Sequence, residues 1–198
     1  PRFIGDDKDM ERIGHQLKGK TVVIGSTSNV LYTRNALAMR TMIVARAAKE
    51  NGAKRVILVE PDLFFSAQDR GPHRLGELEK ERSDKDLKKF DGQPFTSKLY
   101  AELLKLSGVD TIVTVHNHSA KVQALMREVF EGNFHNLVPD DVYADYIKRS
   151  DMLQVGKDGD NLVLCAPDAG ATPFVEKVQK TLGLSGAKRI VMKKERSG

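Results

Sequence analysis

Two short stretches of this chain concentrate the side chains that can do chemistry. Val-His-Asn-His-Ser at 115–119 offers two imidazoles, and Pro-Asp-Ala-Gly at 167–170 offers a carboxylate. Imidazole exchanges protons near neutral pH and ligates metals, whereas carboxylate oxygen suits a hard divalent cation. His116 and His118 from one segment and Asp168 from another could converge on a metal or on a phosphate-bearing ligand.

The elements that must position them follow from the apolar pattern. Each stretch trails a short run rich in β-formers, Asp110-Thr-Ile-Val-Thr-Val in one case and Asn161-Leu-Val-Leu-Cys-Ala in the other. Both runs read as buried strands, so the reactive residues sit where a strand ends. In an open parallel α/β sheet that edge is where ligands bind. Strand alternation places His116 and His118 on one side of the backbone and Asn117 on the other.

Elsewhere Thr21-Val-Val-Ile-Gly reads as a strand. A helix follows from about Thr33 to Asn51, with Leu37, Thr41, Val44 and Ala48 as its core stripe and Gly52 as its stop. Lys54-Arg-Val-Ile-Leu-Val is the next strand, and further helices are predicted over 97–106 and 120–130. Strand and helix alternate throughout. The expected fold is therefore α/β, with a mainly parallel sheet, helices on both faces and right-handed crossovers. Residues 73–92 are charged, with acidic and basic side chains in balance, and read as a solvated insertion or else a lid. The chain turns polar around Pro139-Asp-Asp and Arg149-Ser-Asp. That places a first domain over 1–148 and the incomplete start of a second α/β domain over 149–198.

The 198 residues are 40% hydrophobic, enough for a packed core, and no apolar run reaches membrane-span length. The net charge of +5 suits a phosphorylated small molecule; no basic stripe interleaved with aromatics favours nucleic acid. The one cysteine, Cys165, lies in an apolar run and reads as a buried, inert thiol, with a reducing cytoplasmic setting as the default. Pro1 at the start and Lys-Glu-Arg-Ser-Gly at the close look like cut ends.

Set beside Phe65-Ser-Ala-Gln-Asp-Arg and Lys194-Glu-Arg, the two strand-end motifs fall into a known order. Phe3 comes first, followed by Ser26-Thr27, an Ala-rich helix leading to Ala53-Lys-Arg-Val-Ile, and Pro61 to Arg70. Pro94-Phe-Thr-Ser-Lys, Gly108-Val-Asp-Thr-Ile-Val-Thr-Val, the His motif, Pro-Asp-Ala-Gly and the Lys-x-Arg pair complete it. In this order the chain resembles ribose-phosphate pyrophosphokinase (phosphoribosyl pyrophosphate synthetase), nearly end to end, with 73–92 as an insertion. The resemblance implies a phosphoribosyltransferase-like fold. It also implies transfer of pyrophosphate from ATP to the 1-hydroxyl of ribose 5-phosphate with Mg2+, Mn2+ or another divalent metal, in a homo-oligomer. On this chain it makes His118 and Asp168, with His116 as a further candidate, ligands of the metal or its waters. Phe3, Asp7, Gln68, Arg70 and His118 become nucleotide contacts, with Phe3 reaching a neighbouring subunit. Lys194 and Arg196 become the catalytic pair on the transferring group. Without the resemblance, Asp168 reads as a helix cap and the Lys-x-Arg pair as a solvated tail.

Three departures stand out. His116-Asn117-His118 replaces the family's Asp-Leu-His, and Ala67 stands where an arginine is usual. The family's Asp-Thr-Gly-Gly-Thr acceptor loop is absent from these residues, so the chain reads as a fragment, inactive alone. A non-catalytic regulatory relative is the competing reading, and a His-x-His metal-dependent hydrolase a third.

Overall fold

The computed structural model describes residues 16–74 and 80–193. Phe3, Asp7, Lys194 and Arg196 lie outside them. The chain forms two compact units, residues 1–137 and 138–198.

The first unit carries a four-stranded sheet, β1 (Thr21–Gly25), β2 (Arg55–Val59), β3 (Thr111–Val115) and β4 (Phe134–Leu137). The strands lie in sequential order and every pair is parallel. Parallel neighbours need crossovers, and helices supply them. α1 (Arg34–Glu50) joins β1 to β2; the short α2 (Asp84–Lys88) and α3 (Thr96–Leu106) lie between β2 and β3; α4 (Ala120–Val129) leads to β4. Right-handed crossovers in an unreversed strand order stack their helices on one face. The buried core agrees: Ala38, Ala45 and Ala48 of α1, Leu104 of α3 and Met126 of α4 pack with Val56, Leu58, Ile112 and Phe134 of the strands. The expected helices on both faces are thus met, among the described residues, on one. Val23 and Leu137 point the other way and are exposed.

The stripe of α1 is rotated from the expected one. Ala38, Thr41, Ala45 and Ala48 are buried, while Leu37 and Val44 flank them half-buried. Small side chains let the helix axis approach the sheet, so alanines take the centre and larger residues the margins. Thr33 caps this helix, its hydroxyl accepting the Ala36 N–H at 3.2 Å.

The second unit holds α5 (Asp140–Arg149), a parallel pair β5 (Val163–Ala166) and β6 (Lys188–Val191), and α6 (Thr172–Leu182). Ala144, Val178 and Leu182 form its core. The units divide before α5, upstream of the 148/149 boundary read from polarity, because α5 packs on α6. Asp140 accepts hydrogen bonds from Thr181 at 2.6 Å and Lys177 at 2.8 Å, and these hold its carboxyl below the usual range. Cys165 is exposed, not buried. Alternation along β5 turns Ala166 inward and Cys165 outward, a distinction that an all-apolar run conceals.

Leu58 is fully buried in β2 against the helices. Leu58→Ala should destabilise the protein by about 2–5 kcal/mol, measured by denaturant unfolding. A loss below about 1 kcal/mol would contradict this packing.

Candidate functional site

The loops that leave β1, β2 and β3 meet at the carboxyl edge of the first sheet. The β2 loop is the most constrained. Leu63 and Phe64 are buried, so the backbone beside them enters the interior and its polar groups need partners. Ser97, fully buried in the first turn of α3, supplies them: its hydroxyl shares a proton between the carbonyls of Phe65 at 2.7 Å and Gln68 at 2.6 Å. The Phe65 and Tyr100 rings meet edge-on, 5.0 Å between centroids. Phe65 has a φ of 60°, a left-handed conformation that the tight turn imposes on a non-glycine residue.

Downstream of this staple lies Gln68-Asp69-Arg70. The Gln68 amide donates to the Arg70 carbonyl at 3.1 Å and to Gln93 at 3.3 Å, just past the predicted insertion. Asp69 accepts the Ser119 hydroxyl at 2.8 Å, which joins the β2 loop to the histidine loop. Gln68 and Arg70 are thereby brought beside His116–Ser119. The insertion is itself tied down: Arg82, 7% exposed, pairs with Asp86 at 2.8 Å and donates to the Gly71 carbonyl at 3.1 Å. That hydrogen bond holds the Asp86 carboxyl below its ordinary range.

The histidine loop is built around Asn117, which is buried. Its N–H donates to Asn136 at 2.8 Å, its carbonyl accepts from Asn136 at 3.0 Å and from Gln123 at 2.7 Å, and its side-chain oxygen accepts the Ser119 N–H at 3.1 Å. His116 and His118 flank it, both exposed. The strand itself stops at Val115, and His116 adopts a φ of 51°. Ser119 then caps α4, accepting the Val122 N–H at 3.3 Å.

Asp168 belongs to the second unit, where one carboxylate oxygen accepts the Ala171 N–H at 3.1 Å and caps a single 3₁₀ turn over Ala169–Ala171. Among the described residues no three of His, Cys, Asp and Glu are gathered to hold a metal. The first unit's edge offers imidazoles where magnesium prefers oxygen, so these residues do not form a magnesium cage.

Sequence reading missed Glu60. Fully buried at the end of β2, its carboxylate accepts the Phe64 N–H at 3.0 Å and the Tyr100 hydroxyl at 3.0 and 3.1 Å. Burial raises its pKa from 4.5 to about 7, against the lowering effect of these bonds and one from Ser26; the nearby Asp62 raises it further. Tyr100, buried beside it, is pushed well up and stays a donor. A carboxylate directly following the buried run Val-Ile-Leu-Val and shortly before Leu-Phe-Phe was the available signal.

No protein-family model matches the chain. Among curated proteins it is 29% identical over 182 residues to ribose-phosphate pyrophosphokinase 1 of Streptococcus agalactiae, covering 91% of this chain and 48% of that protein. To the protein of the same name from Streptococcus pneumoniae it is 28% identical over 185 residues, covering 93% and 48%. It therefore spans about half the length of the curated relatives it matches. In fold it is similar to the crystal structure of phosphoribosylpyrophosphate synthetase from Mycobacterium smegmatis, with a TM-score of 0.65 at 23% identity over 91% of this chain and 50% of that one. The architecture is thus the α/β fold of a phosphoribosylpyrophosphate synthetase. The chain is related to the ribose-phosphate pyrophosphokinases, as its motif order implied. No helix among the described residues is long and apolar enough to cross a membrane.

Two outcomes follow from this geometry. Asn117→Ala removes the acceptor of the Ser119 N–H in a buried loop and should cost about 1–3 kcal/mol in urea unfolding. For Glu60 the sign is fixed by its raised pKa: the folded state holds the proton more tightly, so stability is highest below the unfolded value and falls as pH rises through about 7. Glu60→Gln does not titrate, and calorimetry should find it gaining about 2–3 kcal/mol on the parent between about pH 5 and about pH 8. A pH-independent difference would contradict the buried carboxyl.

Proposed function

We propose that this chain is the nucleotide-facing part of a ribose-phosphate pyrophosphokinase, which transfers pyrophosphate from ATP to the 1-hydroxyl of ribose 5-phosphate. The observation that carries the reading is the Asp69–Ser119 hydrogen bond. It joins the segment holding Gln68 and Arg70 to the loop holding His118, the motifs that the resemblance assigns to the nucleotide. Arg70, with its side chain 44% exposed, presents a planar cation suited to phosphate oxygens, and Gln68 is held by Gln93 to offer a directed polar edge. Phosphoryl-type transfer is mostly positioning and neutralisation of spreading charge. Lys194 and Arg196 would supply that charge at the transferring group, with Phe3 and Asp7 as further nucleotide contacts.

The attacking oxygen is the sugar's 1-hydroxyl and the leaving group is AMP. A divalent metal would accompany the ATP phosphates and stabilise their charge; His118 and His116 are the candidate contacts to its waters at this edge, while Asp168 is a separate candidate in the second unit. The active protein would be a homo-oligomer in the cytoplasm. These 198 residues carry no Asp-Thr-Gly-Gly-Thr acceptor loop, so on their own they should bind ATP weakly and turn over no ribose 5-phosphate.

The competing reading, a non-catalytic regulatory relative, draws on Ala67 and His116, where the resemblance leads one to expect arginine and aspartate. A metal-dependent hydrolase would need a third ligand, and the described residues gather none. Product analysis separates the three. The whole protein, given ATP and ribose 5-phosphate, should release AMP; inorganic phosphate would point to hydrolysis, and ATP binding without any product to the regulatory relative. For the chain itself, Arg70→Ala should weaken ATP binding about tenfold or more by calorimetric titration. Unchanged affinity would remove Arg70 from the site.

A further inference from the structure

The β2 loop carries a buried acid that the proposed chemistry does not use. We propose that Glu60 is a positioning residue whose protonated form latches the 61–70 loop in its packed arrangement, so that loop opening releases a proton. Its role at a ligand site rests on the nucleotide reading above; the latch itself does not.

The geometry is specific. Glu60 closes β2, and the chain turns back over it so that Phe64, four residues on, donates its N–H to the carboxylate. From α3, Tyr100 donates to both oxygens. From β1, the Ser26 hydroxyl adds a further bond and is itself bonded to Thr41 of α1 at 3.2 Å. The charged and titratable groups facing Glu60 are few. Asp62, on the same turn, repels a second negative charge and is paired with Arg34 of α1 at 2.5 Å; Arg34 also lies over the Phe64 ring, 5.8 Å from its centroid; Tyr100 is the neutral donor of α3, and Ser26 and Thr41 add hydroxyls from the β1 loop and α1. Among the described residues no lysine or arginine pairs with Glu60, so its negative form is held only by dipoles.

The cover over this acid is the loop itself, with Phe64 fully buried. Lifting the loop wets the carboxyl and returns its pKa toward the ordinary value. The closed form therefore prefers the acid, and the open form the carboxylate. Because Ser97 ties the same loop at Phe65 and Gln68, opening at Glu60 also frees the backbone that places Gln68 and Arg70. A ligand that closes an open loop must then bind with uptake of a proton between about pH 5 and about pH 7.

Amide hydrogen exchange across 61–70, corrected for the intrinsic pH dependence of exchange, tests the latch in the protein without ligand. Opening should increase more than tenfold between about pH 5 and about pH 6.5 in the parent, level off above about pH 7, and stay constant in Glu60→Gln, which mimics the acid. Tyr100→Phe, which removes a bond favouring the carboxylate, should move the midpoint to higher pH; a merely structural tyrosine would leave the midpoint in place. If Glu60→Gln fails to fold, that midpoint carries the test. A flat parent profile, the same slope in Glu60→Gln, or an unmoved midpoint in Tyr100→Phe overturns the proposal. Titration with ATP in buffers of different ionisation enthalpy adds the ligand arm: proton uptake is expected at about pH 6 in the parent only. Absence of ATP binding with the pH-dependent opening intact would sink the nucleotide reading and leave the latch standing.

Discussion

The Ser97 hydroxyl, buried at the start of α3 and shared between the carbonyls of Phe65 and Gln68, is the contact on which the site depends. Burying Leu63 and Phe64 draws the β2 loop into the protein, where a backbone carbonyl without a donor is costly, about 1–3 kcal/mol for each unsatisfied group. That hydroxyl reinforces the longer bonds the two carbonyls accept from the Gln68 and Ser97 N–H groups, each at 3.4 Å. With that segment fixed, Asp69 reaches Ser119, Ser119 caps α4, and the histidine loop closes around Asn117. Each step is polar and local, but the sequence separation spanned runs from Gln68 to Ser119.

The periodic elements were legible because their apolar patterns are unambiguous. β1, β2, β3 and the helices α1, α3 and α4 lie where alternation and helical spacing place them, and the strand-end position of the His motif follows directly. What escaped has a common cause. Asn117 and Ser119 look like ordinary turn residues, and only the partners Asn136, Gln123 and Asp69, distant in sequence, make them structural. Cys165 is exposed because a two-stranded sheet covered by one helix has an open face, and a run of apolar residues does not say which members face it. The unit boundary escaped because α5 is polar on its outer side, while its contact with α6 rests on few buried residues, chiefly Ala144.

Glu60 shows how a functional environment can hide in a strand. An acid at the carboxyl end of β2, surrounded by Tyr100, Ser26 and the Phe64 amide, is raised to a pKa of about 7 chiefly by burial, with Asp62 adding to it. The same edge carries two non-glycine residues in left-handed conformations, Phe65 and His116, one at each end of the hydrogen-bonded path. Such positions persist when surrounding contacts over-determine them, at a cost of about 1–3 kcal/mol each. The β2 and β3 loops meet that condition through Ser97 and Asn117.

The account turns on these two loops forming one ligand surface. The direct measurement is a nuclear magnetic resonance titration of isotope-labelled protein with a non-hydrolysable ATP analogue. Amide shifts that move together and saturate together across Ser66–Arg70 and His116–Ser119 are the predicted result. Saturable binding that leaves both segments unmoved, or that perturbs only the second unit, would contradict it.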